Sequence, residues 1–388
     1  MIDYIKAILP VSNHSLGTRF KSYPEGKDSP IEGYFKDKEF VFEGGASEIT
    51  VKSMNGGSAF MFECSPLTSF QGHNLDGSMN LHAMVVNHAH CILGQKGQQM
   101  SREERALIAT GGYELASVHI TEMLHCEHEE IPRLIRDLMA NLPDQCAAAR
   151  FERGVGIKFR SRVASSAPLR FSIYDKRGQI YAQKRQLIVR LTRLLKSSEL
   201  AEEAFELLLN ASRNLIRVEV QIDQQALLRL GLNQGSDWCK GERNGQKSVG
   251  VAKRVFAEAF EEMNFGAYTS LPRSQILAKV IDVDEREKVA LWLLNEDFAE
   301  GTKGGRPVDP HTIRKWRKLM LEKYDLDLTA APPIPKHRDM VGLNLGEILN
   351  VKNVARKILE LPEHLDSLYS KGDEQAAFFR GKFNAMKS

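Results

Sequence analysis

The sequence predicts an α+β fold: an antiparallel sheet with flanking helices, followed by a mainly helical second part. Three observations predict it. Several short runs alternate between apolar and polar residues, as half-buried strands do. Helical patterns are interleaved with these runs. After about residue 235 the strand-like runs stop and helical segments succeed one another. A chain of 388 residues, 42% of them hydrophobic, can build a sizeable core. We divide it into two domains, 1–235 and 236–388.

Residues 1–70 read as strands and turns: DYIKAIL alternates, and EFVFEGG, EITVKSM and SAFMFECSP are short β runs punctuated by Gly and Pro. Residues 79–93 fit a helix closed by Gly94. Ser101 with Glu104 three residues on fits a capping box. ASVHITEML then reads as a strand, and EEIPRLIRDLMANL as an amphipathic helix with two acids in its first turn. Strands resume at GIKFRSRV and LRFSIYDK, a long helical stretch fills 181–210, and LIRVEVQI is a clean strand. In that last run Ile216, Val218, Val220 and Ile222 point one way, and Arg217, Glu219 and Gln221 the other. Beyond 235 the helical segments are 248–264, 272–280, 284–298 and 309–324, with Asp309 and Pro310 at a helix start. APPIP at 331–335 is a stiff linker, and the last fifty residues form one or two more helices.

The net charge of +3 is small, but its distribution is uneven. Between Arg150 and Lys196 stand thirteen Lys and Arg against only Glu152 and Asp175. Such a run suits a phosphate backbone, although a solvated basic face is the plainer explanation of a charge run alone. The five cysteines are scattered without a C-x-x-C pair, which fits reduced thiols in a cytosolic protein. The start MIDYIKAILP does not read as a signal peptide, and no apolar run approaches the roughly 20 residues of a membrane span.

In RFSIYDKR the apolar set is Leu169, Phe171 and Ile173, while Arg170, Ser172, Tyr174 and Lys176 share the other face of a strand. Tyr174 thus lies among Arg170, Lys176 and Arg177. Cations lower a phenol's pKa and favour a nucleophilic phenolate. Taken alone, it is an ordinary amphipathic tyrosine, with Tyr181 a rival in the same basic run.

Among the histidines, His73 sits in a glycine-flanked turn. His88 and His90 match the His-apolar-His string of the HUH nucleases, but on a helix they point apart and become surface or packing residues. On the HITE strand His119 shares a face with Thr121, and Glu122 lies on the other unless a bulge re-aims it. His125, Cys126 and His128 lack the second half of a zinc site. Glu219 is either a cross-strand ion-pair partner of Arg217 or a ligand carboxylate.

Several motifs, in this order, resemble the filamentous-phage replication initiators of the gene II/X family. They are the MID start and its strand ending at Pro10, SPLTSFQGHNLDG, SVHITEML where the family tends to carry Arg-apolar-Asp, FSIYDK, and LIRVEVQI, similar to Leu-Val-Arg-Phe-Glu. The likeness covers roughly residues 1–225. It implies an HUH/RRM-like nicking domain with a five-stranded sheet. Tyr174 would be the nucleophile, cutting one origin strand, keeping the 5′ end and freeing a 3′-OH primer for rolling-circle replication. Lys176 would assist. His73, His119, Glu122 and Glu219 would hold Mg²⁺ or Mn²⁺. Arg160, Arg162, Arg170, Arg177, Lys184 and Arg185 would contact DNA, as would Arg314, Lys315 and Arg317 if helix 309–324 belongs to a helix-turn-helix-like unit rather than packing through Trp316. Host helicase and polymerase would be partners in the host cytoplasm. The alternatives are a non-catalytic origin-binding protein and a conjugative relaxase. Met79, Met84, Met100 and Met123 are candidate internal starts for a shorter product.

Overall fold

A computed structural model describes residues 1–12, 16, 19–22, 31–34, 37–41, 45–141, 147–150, 156–160, 169–239, 246–262, 280–293 and 309–324, with single positions at 277, 326, 328, 348, 349, 365, 367 and 369. The strands in chain order are β1 Ile2–Leu9, β2 Arg19–Ser22, β3 Ile31–Tyr34, β4 Asp37–Val41, β5 Glu48–Met54, β6 Ala59–Cys64, β7 Glu114–His125, β8 Ala147–Arg150, β9 Gly156–Arg160, β10 Arg170–Asp175 and β11 Leu215–Asp223. Nine of them form one antiparallel sheet in the order β4-β5-β6-β1-β7-β11-β10-β9-β8, and β2 pairs with β3 separately. The sheet is therefore wider than the five strands expected.

Alternation decides the faces. In β11 Ile216, Val218, Val220 and Ile222 are all buried, and Val218 and Val220 stand opposite Ile173 and Phe171 of β10. These residues share one hydrophobic core with the helices Leu81–Gln95, Ser198–Ala211 and Gln246–Glu262. The other face carries rows of mostly polar side chains across four strands. One row runs Lys158, Ser172, Glu219, Thr121, and the next runs Gly156, Tyr174, Arg217, Met123.

Strand β1 joins this face through an irregularity. Ile2 pairs with Ile120 and Tyr4 with His119, so the register shifts and Asp3 is the extra residue. Ile2 and Ile5, three apart, are both buried, while Asp3 and Tyr4 between them are both half-buried. A bulge of this kind re-aims one side chain.

Local signals explain the helix ends. The Ser101–Glu104 capping box forms as expected, each side chain bonding the other residue's backbone N–H. Asp309 accepts from the Thr312 N–H at 3.1 Å, and Pro310 opens the helix Pro310–Tyr324. The helix expected over 79–93 is Leu81–Gln95, which runs through Gly94; the left-handed glycine is Gly97, with φ 65°. The helix Ile131–Asn141 starts after Glu129 and Glu130, so those acids precede its first turn. The expected long helix over 181–210 is broken. Lys196 adopts a left-handed conformation with φ 55°, and Ser197 caps a new helix through the Leu200 N–H.

Among the described residues beyond 241 the elements are the helices Gln246–Glu262, Val283–Leu293 and Pro310–Tyr324. Val280, Val289, Met320, Leu326 and Leu328 form a small core of their own. The segment 272–276, the linker 331–335 and nearly all of the last fifty residues lie outside the described residues.

Candidate active site

The candidate site is built where Asp3, in the bulge of β1, reaches across β7 to side chains of β11 and β10. Arg217 lies at its centre, with none of its side chain exposed. It is paired with Asp3 and, through Nε at 2.9 Å, with Glu219. Its Nη1 donates to the Asn74 carbonyl at 2.9 Å. Tyr174 is only 6% exposed and donates its hydroxyl to Glu219 Oε1 at 2.6 Å, with the Arg217 guanidinium carbon 5.9 Å from its ring centre. Asn74 donates to Asp3 Oδ1 at 2.8 Å and accepts from Lys176 Nζ at 2.8 Å. Lys176, also buried, donates to Gln179 Oε1 at 2.7 Å. One connected chain of hydrogen bonds and ion pairs thus runs from the tyrosine to the lysine.

Each ionisable group feels burial and charge together. Burial pushes the Tyr174 phenol well above its ordinary value; Arg217 opposes this, and Glu219 and Asp3 reinforce it. This corrects the expectation that neighbouring cations lower it. The cations near Tyr174 in sequence do not set its ionisation: burial dominates, and the charged groups that act on the phenol, Arg217, Glu219 and Asp3, come from distant parts of the chain. Burial alone would raise the Asp3 carboxyl, yet Arg217 and Asn74 bring it below the usual range. Burial lowers Lys176, and Arg217 lowers it further against Asp3 and Glu219. Burial disfavours the Arg217 charge, but Asp3, Tyr174 and Glu219 hold it on more firmly than usual.

The remaining expected positions divide. Lys176 is not on the strand face: Asp175 ends β10 and caps the helix Lys176–Ala182 by accepting from the Arg177 N–H at 3.0 Å. His73 is buried beside Asn74 and Lys176 in a small recess. His119 lies on the polar face and stacks on Tyr4 at 4.6 Å between ring centres. Glu122 stands opposite Val218 and so lies on the opposite face from Glu219. The bulge that would have re-aimed it is on β1 instead. His88 is fully buried, bonded to Ser69 Oγ and the Met84 carbonyl, both at 2.8 Å, and His90 is exposed.

A cage built by the protein alone needs three or more hard ligands converging on one point. Asp3 and Glu219 have the right chemistry, but the Arg217 guanidinium already stands between them. Among the described residues, no three His, Cys, Asp or Glu side chains converge to hold an ion. The set His73, His119, Glu122 and Glu219 therefore does not fit a ready cage.

Of the expected DNA-contacting residues, Arg170, Lys184, Arg185, Arg314 and Lys315 are exposed, and Arg177 and Arg317 half-buried. Arg170 is 4.0 Å from Asp223, and Lys184 is 3.7 Å from Glu202 and 4.7 Å from the Phe205 ring centre. Arg160 pairs with Arg170 across β9 and β10, whereas Arg162 lies outside the described residues. Tyr181 is 68% exposed.

Sequence reasoning missed Asp3, Asn74 and the centrality of Arg217. The MID start, the GHN triplet and LIRVEVQI marked their neighbourhoods without showing that they meet.

Residues 1–241 match the family model for the N-terminal part of the replication-associated gene II protein of phages. No curated protein and no solved structure matches the chain. No helix among the described residues is long and apolar enough to cross a membrane.

Proposed function

The chain belongs to the gene II replication-associated protein family, the rolling-circle replication initiators of filamentous phages, and from that premise we propose that it nicks one DNA strand at a replication origin with Tyr174 as nucleophile. The observation that carries this reading is the 2.6 Å hydrogen bond from the Tyr174 hydroxyl to Glu219, inside a buried charged network. A buried phenol bonded to a carboxylate has its proton acceptor already in place.

In the proposed reaction Glu219 takes the phenol proton as Tyr174 Oη attacks phosphorus. The Oη–P bond forms and the P–O3′ bond breaks, leaving the 5′ end on the tyrosine. Arg217, beside both groups, stabilises the phenolate and the charge building on phosphate. Lys176, more acidic than an ordinary lysine because it is buried, gives a proton to the departing 3′-oxygen. The freed 3′-OH primes synthesis by a host polymerase; after one round a second cut frees the 3′-OH of the displaced strand, which attacks the phosphotyrosine, so that the new P–O3′ bond closes the circle as the Oη–P bond breaks. Each of these steps is assigned to a side chain of the network, and the assay below is run with Mg²⁺, Mn²⁺ or EDTA.

The recess beside Lys176 has a volume of about 40 Å³, room for little more than one water. Strand entry beside Lys176 must therefore widen it. The same burial favours a second reading, an origin-binding protein without chemistry. Its discriminating test uses a supercoiled plasmid carrying the cognate origin, with Mg²⁺, Mn²⁺ or EDTA. Nicked circles with protein on the 5′ end, lost in Tyr174→Phe, support the enzyme. Nicking that survives in Tyr174→Phe but is lost in Tyr181→Phe moves the nucleophile to Tyr181. Tight binding with no nick under any condition supports the second reading.

A further inference from the structure

A second concave feature adjoins the site. The helix Lys184–Leu195 and the segment Ala46–Glu48 enclose a cleft of about 490 Å³, lined by Arg185, Arg190, Arg193, Gln186, Val189 and Glu48 among others. Leu187, Leu191 and Leu194 bury the helix's other side, so Gln186, Arg190 and Arg193, spaced by four and three, share the face over the cleft. Arg190 also lines the small recess that ends at His73, Asn74 and Lys176. The cleft and the candidate site are therefore neighbours. Gly72, with φ 81°, holds them together: a Cβ there would come within 3.2 Å of Leu191 and 3.5 Å of Ala46.

We infer that this cleft is a track for the sugar-phosphate backbone of the DNA strand on its way to Tyr174. The inference rests on the nicking reading. Three guanidinium groups face one carboxylate, Glu48, among the described lining residues. Burial works most against the charge on Arg190; Glu48 offsets part of this, and the nearby Arg193 adds a smaller repulsion. Partly desolvated guanidinium groups that outnumber their carboxylate three to one leave hydrogen-bonding and charge capacity that an anion can satisfy. Arginine's planar fork suits phosphate oxygens in pairs. The volume is that of a ligand-sized cleft rather than of a single ion. Val189, 52% exposed, offers apolar surface to a sugar. The described lining residues include no aromatic side chain, so the cleft has no platform for base stacking. It grips backbone and does not read sequence. Origin recognition then falls to another surface.

The test measures binding of fluorescent single-stranded oligonucleotides of unrelated sequence to the full chain. All proteins carry Tyr174→Phe, so covalent capture contributes nothing. The double variant Arg190→Gln/Arg193→Gln should bind at least ~10-fold more weakly and reduce the slope of log affinity against log salt by about 1.4, two contacts at about 0.7 each. Glu48→Gln should tighten binding, which keeps the test decisive where the double variant folds poorly. Unchanged affinity and slope in a folded double variant, with Glu48→Gln also silent, would overturn the track. So would competition by a mononucleotide as strong as that by an oligonucleotide, since the cleft would then be a small-anion site. These outcomes are independent of whether Tyr174 is the nucleophile, which the nicking assay decides separately.

Discussion

Two clusters in this molecule contain the same three kinds of group: a tyrosine, a glutamate and a cation. Around β10 and β11 they are Tyr174, Glu219 and Arg217. In the small C-terminal core they are Tyr324, Glu285 and Lys323, where both the tyrosine hydroxyl and the lysine donate to one Glu285 oxygen. Arg217 has no exposed side-chain surface, whereas Lys323 is 47% exposed. In the first cluster burial is the main force on the tyrosine, and the phenol is driven away from ionisation. In the second, hydrogen bonds from Lys323 and Tyr324 dominate and lower the Glu285 carboxyl. The carboxylates are similarly buried, at 12% and 11% side-chain exposure, so it is water access to the cation, rather than the choice of residues, that separates the two clusters.

Mutation should tell the two clusters apart. The largest effect should come from Arg217→Met, which leaves two carboxylates buried beside each other. Uncompensated buried charge of this kind costs about 3–5 kcal/mol, read as the shift of a urea unfolding curve. A loss as small as that of a surface ion pair would mean that water reaches the cluster.

His88 isolates burial from partner charge. Its pKa is pushed down from 6.5 to about 4, by burial first, against the hydrogen bond to Met84. On acidification the unfolded chain takes up this proton before the folded one does. Stability should therefore fall between pH 6.5 and 4, with His88 contributing about 3 kcal/mol at the acid end. Urea midpoints against pH for wild type and His88→Gln check this; the variant should lose that part of the slope, and parallel curves would remove the assignment.

A smaller effect is expected at the tyrosines. Tyr174→Phe removes a buried hydrogen bond to a carboxylate and should cost about 1.5–3 kcal/mol, while Tyr324→Phe should cost less. Equal losses would erase the distinction between the clusters. The smallest change is Lys323→Met, whose unfolding midpoint should hardly move, because a half-exposed pair is screened and costs side-chain order.

Much of the fold is legible in the sequence. The period-two pattern of β11, the capping box at Ser101 and the helix carrying His88 and His90 are local signals, and each forms where the pattern puts it. The candidate site is legible only in part. Tyr174 stands out, but residues within a few positions of it say little about its surroundings. Its acceptor is 45 residues away, and Asp3 and Asn74 are farther still. Register between strands brings such partners together, and register depends on pairing across the whole sheet. Lys176 departs from the strand face for a local reason: Asp175 is an N-cap, so the strand ends one residue before the lysine. The family likeness includes Arg217 and Glu219 in LIRVEVQI, but a motif on one strand does not reveal that the arginine sits at the centre of a network reaching Asp3 and Asn74.

The extra residue in β1 has a consequence for how the protein tolerates change in length. A strand assigns its side chains by odd and even count, and Asp3 resets that count between Ile2 and Tyr4. Substitutions at neighbouring positions leave the tally intact. Deletion of a single residue there would restore plain alternation, remove the carboxylate that anchors Arg217, and still leave a sequence that makes a good strand. The site is thus more fragile to a frame-preserving codon deletion than to most point replacements around it.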